Sequence, residues 1–323
     1  MMNRIAAVLA LVCLASTAAQ AQPYPSRQVT IIVTSAAGGL TDVLSRAVGQ
    51  RLSQMWNQTV LIENRGGAGH NLAATAIKSA APDGYTLLST ETGMFTIQPH
   101  LHAKGKLSFD AAIDFVPLAG FAAIPMALLV HPSVPIKSVS ELIALAKEKP
   151  NAISYGTAGL GTAPHMGALL LESMTGVKLT AIHYRGASPA LNDVVAGHIN
   201  LITMGPSIAL PAVQAGKLNM VGFGSLKRVP QFANVPTIAE SVPGYEAGVS
   251  FGMFALAATP PDIVAKINAD VQQILSEPTF RAKFLDPQVL QTMPGTPHEF
   301  GRALAAESRK WAKVIRDANL KID

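Results

Sequence analysis

Apolar and polar positions along this chain fall into short apolar runs, each followed by a segment in which apolar residues recur every three to four positions. The first such pair sets the pattern. Val29, Thr30, Ile31, Ile32 and Val33 are all β-branched, a composition suited to a strand buried on both faces. From Thr41 onward Leu44, Val48, Leu52 and Met55 return at helical spacing with Ala47 on the same face, which predicts a helix. Between them Ser35-Ala36-Ala37-Gly38-Gly39 carries nothing larger than a methyl or hydroxymethyl group, so a ligand can approach the backbone closely. A bare strand-to-helix turn presents unpaired N–H groups and the positive end of a helix dipole. An anion is expected there.

The same alternation continues. Thr59 to Glu63 predicts a strand, and a second Gly-rich turn, Asn64 to Asn71, precedes an alanine-rich helix over about 72–80. Pro82-Asp83-Gly84 breaks that helix, and Tyr85 to Ser89 returns as a strand. The run Phe115 to His131 is too long for one strand and is interrupted by Pro117 and Pro125; it reads as two extended pieces, the second leaving the first domain. Ser138 is placed to cap a helix over 139–149. A new series then begins, with strands at 153–155, 179–183, 199–203 and 217–225 and helices at 164–175 and 190–196. A Pro-rich return path at 229–244 leads to an extended stretch at 249–258. Helices follow at 262–276 and 299–317, both expected on the outside of the first domain.

Strands alternating with helices imply parallel sheets covered on both faces, whose ligands collect at the C-terminal ends of the strands. Residues 26–124 with 228–323 are expected to form one domain and residues 125–227 the other. The chain then crosses twice, and two crossings make a hinge.

Length agrees with two domains, since 323 residues exceed one average core. With 49% hydrophobic and 14% charged residues, disorder is excluded as a description of the chain. The net charge of +5 is spread singly and aromatics are 6%, which argues against a nucleic-acid groove. Residues 1–21 read as a secretory signal peptide: Arg4, an uncharged run, then Ala19-Gln20-Ala21 as a cleavage signal. Cys13 lies within it, so the mature chain has no thiol for a disulfide or a thiolate metal site.

A turn in the second domain, Gly156-Thr157-Ala158-Gly159-Leu160-Gly161-Thr162, mirrors the first and again precedes a helix. Its spacing is not that of a dinucleotide fold, and no Walker lysine follows either turn. Either turn alone fits tight-turn geometry as well as anion binding; two at matching places favour binding. Tyr184-Arg185-Gly186-Ala187-Ser188-Pro189 has the same form. Arg185 is a possible carboxylate clamp, although a surface arginine is the preferred reading because the turns can carry the charge alone. His165 reads as a cap or packing residue rather than a base or ligand, and Asp42 as electrostatic capping of its helix. Thr90, Glu91 and Thr92 follow a strand and are placed to line the cleft; Glu91 there repels a carboxylate unless it points away. No nucleophile elbow, metalloprotease motif or paired carboxylates are present, so the equipment is for holding.

The segments YPSRQVTIIVTSAAGGLTDVLSR, ENRGGAGHNLAATAIKSAAPDGYTLL, ISYGTAGLGTAPHMGALLL and YRGASPALNDVVAGHI together resemble the Bug family, the TctC-like periplasmic receptors of tripartite tricarboxylate transporters. The resemblance spans essentially all of the mature chain. It implies a periplasmic-binding-protein fold of type II, two α/β lobes joined by a two-crossing hinge with the ligand cleft between them, closing on a small organic carboxylate. It also implies that the turn Ser35 to Asp42, including Thr41, holds the carboxylate, and that the second lobe contributes Thr157 to His165 and Tyr184 to Pro189. The chain departs from the family pattern at Thr34 to Gly39, where PFPPGG is usual, and at Asn200, Met204 and Phe251, where two aspartates and a tryptophan are common. Met204 is retained as a candidate contact. The two lost charges favour an aromatic or aliphatic acid over a cationic or amino-acid ligand.

The expected function is a periplasmic, monomeric receptor that delivers a carboxylate to the membrane subunits of a tripartite tricarboxylate transporter, with no catalytic residue, metal, cofactor or nucleic acid. The alternatives are a ligand sensor for a membrane signalling kinase and, less favoured, a periplasmic enzyme acting on a carboxylate.

Overall fold

In the computed structural model, which describes residues 23–67, 70–103 and 105–322, the β-branched run forms a strand in which every residue but Thr30 is buried. The strands are β1 (Val29–Val33), β2 (Val60–Asn64), β3 (Thr86–Glu91), β4 (Phe115–Pro125), β5 (Ala127–Val130), β6 (Ser154–Thr157), β7 (Thr180–His183), β8 (Leu201–Met204), β9 (Asn219–Phe223), β10 (Gly248–Leu256) and β11 (Gln291–Thr292). They make two sheets, in the orders β11-β4-β10-β3-β1-β2 and β7-β6-β8-β5-β9. The predicted signal peptide lies outside the described residues. No described helix is long and apolar enough to cross a membrane.

The sheets are mixed rather than wholly parallel. β1 pairs in parallel with β2 and β3, and β6 with β7 and β8, as the alternation predicts. β10 runs antiparallel to β3 and β4, and β5 antiparallel to β8 and β9. The reason is the crossing. β1, β2 and β3 end at the edge facing the other sheet, whereas a strand that arrives from the other sheet begins at that edge and must run the opposite way. β5 arrives at Ala127 directly after β4, and β10 arrives at Gly248 after β9.

The helices are α1 (Leu40–Trp56), α2 (Asn71–Lys78), α3 (Gly93–Thr96), α4 (Gln98–Leu101), α5 (Val139–Glu148), α6 (Ala163–Thr175), α7 (Ala187–Val195), α8 (Pro206–Gln214), α9 (Pro261–Ser276) and α10 (Pro297–Asp317). Each sheet is covered on both faces. In the first lobe Ile31 and Val33 pack with Leu44, Val48 and Leu52 of α1 and Ile267 and Val271 of α9, while Ile32 and Leu88 face Phe95, Phe254 and Phe300. In the second, Leu128 and Val130 meet α5 and α6, while Ala127 and Leu129 meet Ala190, Val194 and Ala209. Each large apolar side chain so buried contributes on the order of 1.5–3 kcal/mol.

α9 lies against the first lobe as expected. α10 does not stay there. Phe300 near its start is in the first-lobe core, but Trp311, Val314 and Ile315 are buried among second-lobe residues such as Leu142, Tyr155 and Leu171. Ile97 and Leu101 of the first lobe join the same cluster, and Ile322 donates its N–H to the Leu101 carbonyl at 2.9 Å.

Candidate functional site

The register fixes where the candidate turns stand. Val33 pairs with Asn64 and Ser89, and Thr157 with His183, so the chain leaves β1, β2, β3, β6 and β7 along the edges at which the two sheets approach. Thr34 Oγ1 donates to Thr90 Oγ1 at 2.8 Å, joining the first turn to the segment after β3. Gly66 lies against the same turn: a Cβ there would come within 2.9 Å of the Ser35 carbonyl carbon.

The two main turns are built alike. In each, a glycine with positive φ precedes the helix N-cap: Gly38 (φ 84°) before Gly39, and Gly161 (φ 71°) before Thr162. In each, the third helical residue reaches back to that glycine. Asp42 Oδ2 accepts the Gly38 N–H at 2.9 Å, and His165 Nδ1 accepts the Gly161 N–H at 3.1 Å. Asp42 is 2% exposed and also accepts from Arg46 and from Asn64 Nδ2. Burial works against its charge, but these donors outweigh burial and hold the carboxyl below its usual range. His165 is 4% exposed; burial, helped by the nearby His183 ring, brings its pKa down to about 4 and keeps the ring neutral. Nδ1 is therefore an acceptor by tautomer as well as by geometry.

Both side chains thus shape their turns from inside, leaving the first amides of the helices to face outward. Gly39 and Thr162 provide no side-chain cap for α1 and α6, and Gly186 provides none for α7. By contrast, Ser138 caps α5 and Thr296 caps α10, both of which begin away from this edge. Thr162 instead turns its hydroxyl to the Gly159 carbonyl at 2.7 Å. Pro164 at the second position of α6 leaves Ala163 and His165 as the first-turn amides.

A cavity of about 200 Å³ opens between the lobes. Its walls are His70, Glu91, Thr92, Gly93, Met94, Ile97, Gln98, Gly248, Val249 and Glu307 on one side and Leu160, Gly161, Thr162 and Ala163 on the other. Of the sequence candidates, Glu91, Thr92, Gly161 and Thr162 line it. Ser35, Ala36, Ala37, Gly38, Gly39, Thr41 and Asp42 stand at the same edge without lining it, and Thr90 is fully buried beneath. Thr157, Ala158 and Gly159 lie behind Leu160, Thr157 bonding His183 Nδ1 at 2.8 Å. The neighbouring turn is also off the cavity: Tyr184 donates to Asp193 at 2.6 Å, Arg185 is exposed, and Gly186, Ala187 and Pro189 begin α7. Met204 is 2% exposed in the second-lobe core, Phe251 is buried in the first, and Asn200 accepts from Ser154 before β8, at the end remote from the gap. The family departures at these three positions therefore do not shape the cavity.

Sequence reasoning did not single out His70, Gln98, Gly248 or Glu307. His70 adjoins the Gly-rich turn after β2 and could have been flagged by it. Glu307 sits on the polar face of an amphipathic helix with no local mark; only the path of α10 across both lobes brings it to the gap, where Thr92 Oγ1 at 3.2 Å and Trp311 Nε1 at 3.1 Å donate to it. Behind Gly248 and Glu307 a second cavity, of about 380 Å³, lies along the crossings and includes Lys310.

A family profile described as the tripartite tricarboxylate transporter family receptor, TctC, matches residues 44–320. The chain belongs to this family. TctC proteins are periplasmic solute receptors, and relatives bear out the assignment along the whole length. A UPF0065 protein encoded in a tcbD-tcbE intergenic region of Pseudomonas sp. strain P51 is 30% identical, the match covering 97% of this chain and 92% of that one. A solved R. palustris protein with adipate is 33% identical, with a TM-score of 0.76 over 92% of this chain and 99% of its own. MatC from Rhodopseudomonas palustris, with bound malate, is 31% identical, with a TM-score of 0.72 over 90% and 100%. As a TctC receptor the chain has the two-lobed periplasmic-binding-protein fold that its strand orders describe.

Proposed function

We propose that this receptor captures a small organic carboxylate in the gap between lobes formed by residues 26–124 with 228–323 and by residues 125–227, and hands it to the membrane subunits of a tripartite tricarboxylate transporter. The observation that carries this reading is the pair of like-built turns, one in each lobe, that open α1 and α6 at the gap without side-chain caps. The helices that begin at the gap keep uncapped N-termini there, and Thr162 and Ala163 at one of them line the cavity. Adipate and malate in the solved relatives support a carboxylate as the ligand class.

Each helix end supplies about 0.3–1 kcal/mol, more when partly buried. Micromolar affinity corresponds to about 8 kcal/mol, so direct hydrogen bonds and apolar contact with Met94, Ile97 and Leu160 must supply most of it. The protein holds its ligand without transforming it, acts as a monomer, and works in the periplasm after removal of residues 1–21.

A thermal-shift screen over mono-, di-, tri- and aminocarboxylates tests the reading. A ligand at ~100 times its Kd adds roughly 2.7 kcal/mol of stability. Recovery of the bound compound unchanged after incubation is the expected result; its chemical conversion, or no stabilisation by any carboxylate, overturns the reading.

A further inference from the structure

Val289 breaks a rule that the rest of the described chain keeps. Its φ is 57° and its ψ 34°, the left-handed conformation, which crowds the Cβ of an L-residue and most of all a β-branched one. The other described non-glycine residues with positive φ are Asn57, His70, Asn151 and Asn319, types that tolerate it. The backbone here is an ordinary helix stop. After the 3₁₀ turn Asp286–Gln288, the Leu290 N–H reaches the Leu285 carbonyl at 3.0 Å and the Val289 N–H the Asp286 carbonyl at 3.0 Å, the two bonds of a Schellman turn. Glycine usually fills the left-handed position of that turn. A valine persists there only where the surrounding packing holds it.

Two cores do so. Leu285 and Leu290 are buried in the core of the first lobe with Ile274 and Phe280, whereas Val289, 5% exposed, is buried in the second-lobe cluster of Ala127, Leu129, Met204 and Ala209. Adjacent residues thus enter different cores, and the left-handed step at Val289 turns the chain between them. The chain then returns at once to the first sheet, where β11 pairs with β4. At the same place Ser207 Oγ, in the first turn of α8, donates to Gln288 Oε1 at 3.1 Å. α10 joins the lobes on the other face of the second sheet, in the cluster that holds Leu128 and Val130. The crossings are therefore bridged on both faces.

We propose that the turn Leu285–Leu290 is a clasp for the gap, closed by the side chain of Val289 in the second-lobe core and by Gln288 on Ser207, and that it releases when the lobes part. β8 runs parallel to β6, so α8 begins at the edge where the sheets approach, and separation of the lobes there pulls Val289 and Gln288 from their seats. Burial of the valine favours the closed arrangement and its left-handed backbone opposes it, which keeps the clasp weak enough to open. The inference rests on the two-lobed receptor reading and not on which ligand is held.

Double electron–electron resonance tests this on ligand-free protein. The chain's one cysteine is Cys13, so spin labels on Ala265→Cys at the exposed start of α9 and Lys147→Cys at the exposed end of α5 meet no native thiol among residues 23–322. Val289→Gly is expected to raise the ratio of separated to closed lobes at least about threefold over the wild type. A turn that only stops a helix predicts no change in distance, because glycine is its preferred residue. Unchanged distances in Val289→Gly, or a wild type with no closed population, overturn the inference. Where circular dichroism shows Val289→Gly unfolded, Gln288→Ala decides instead: a shift toward separated lobes supports the clasp and none overturns it. Each of these outcomes leaves the carboxylate reading to its own screen.

Discussion

Nδ1 of His165 accepts the backbone N–H of Gly161 at 3.1 Å, holding the turn that precedes α6 from inside the second lobe. Replacing the ring by alanine leaves that amide without its acceptor and opens a void beside Tyr155 and His183. His165→Ala is expected to cost about 1–3 kcal/mol in urea unfolding.

The same ring makes stability depend on pH. Its folded pKa of about 4 lies below the ordinary value of 6.5, so the unfolded chain takes up the proton first. Stability is full above pH 6.5 and is lost as the pH falls toward 4. Urea titrations across this window are expected to show that loss in the wild type and a shallower dependence in His165→Gln.

Asp42 plays the matching part in the first lobe. Asp42→Ala removes the acceptor for Gly38, Arg46 and Asn64 together. Because Arg46 stays half-exposed and can return to water, the expected cost is about 2–3 kcal/mol, below that of a fully buried pair. The midpoint of urea unfolding at neutral pH measures it.

Gly161 meets two constraints at once. Its φ is 71°, and a Cβ would approach Leu101 Cδ1 at 2.5 Å from the opposite lobe. Gly161→Ala is expected to lower stability by about 1–2 kcal/mol from the backbone alone, and to weaken ligand binding because Gly161 lines the cavity and cannot keep its place unless Leu101, packed against it, moves. Thermal unfolding and calorimetric titration separate the two effects.

Trp311, 2% exposed, is the largest side chain that α10 places in the second lobe. Trp311→Ala is expected to cost about 3–5 kcal/mol in unfolding free energy. Trp311→Phe keeps most of the packing and loses the Nε1 bond to Glu307, for about 1 kcal/mol.

Local chemistry announces some of these features and tertiary arrangement hides others. β1 and α1 were legible because the β-branched run and the spacing of Leu44, Val48 and Leu52 each have one physical reading, and Ser138 was legible as a cap. Pro125 marked the passage between lobes. The helix Pro206–Gln214 is not legible in the sequence, because Pro211 inside it breaks the local signal, and packing on the second-lobe core holds it helical. The direction of β5 and β10 was invisible, since antiparallel pairing follows from which lobe the chain comes from, and not from the strands' composition. At the candidate site the glycines of the turns were readable, and Glu91 was noticed. That it lines one cavity with His70 and Glu307 is not legible, because residues from the β2–α2 turn, β3 and α10 meet only once the sheets and α10 are in place.

A pair of extended linkers by themselves would let two bodies both swing and twist about each other. α10 is a stiff rod seated by Phe300 on one body and by Trp311 on the other, and such a strut removes the twist. Any opening of the gap has to carry this rod with one body and slide or lift it from the other, so the packing of its last turns opposes separation of the lobes.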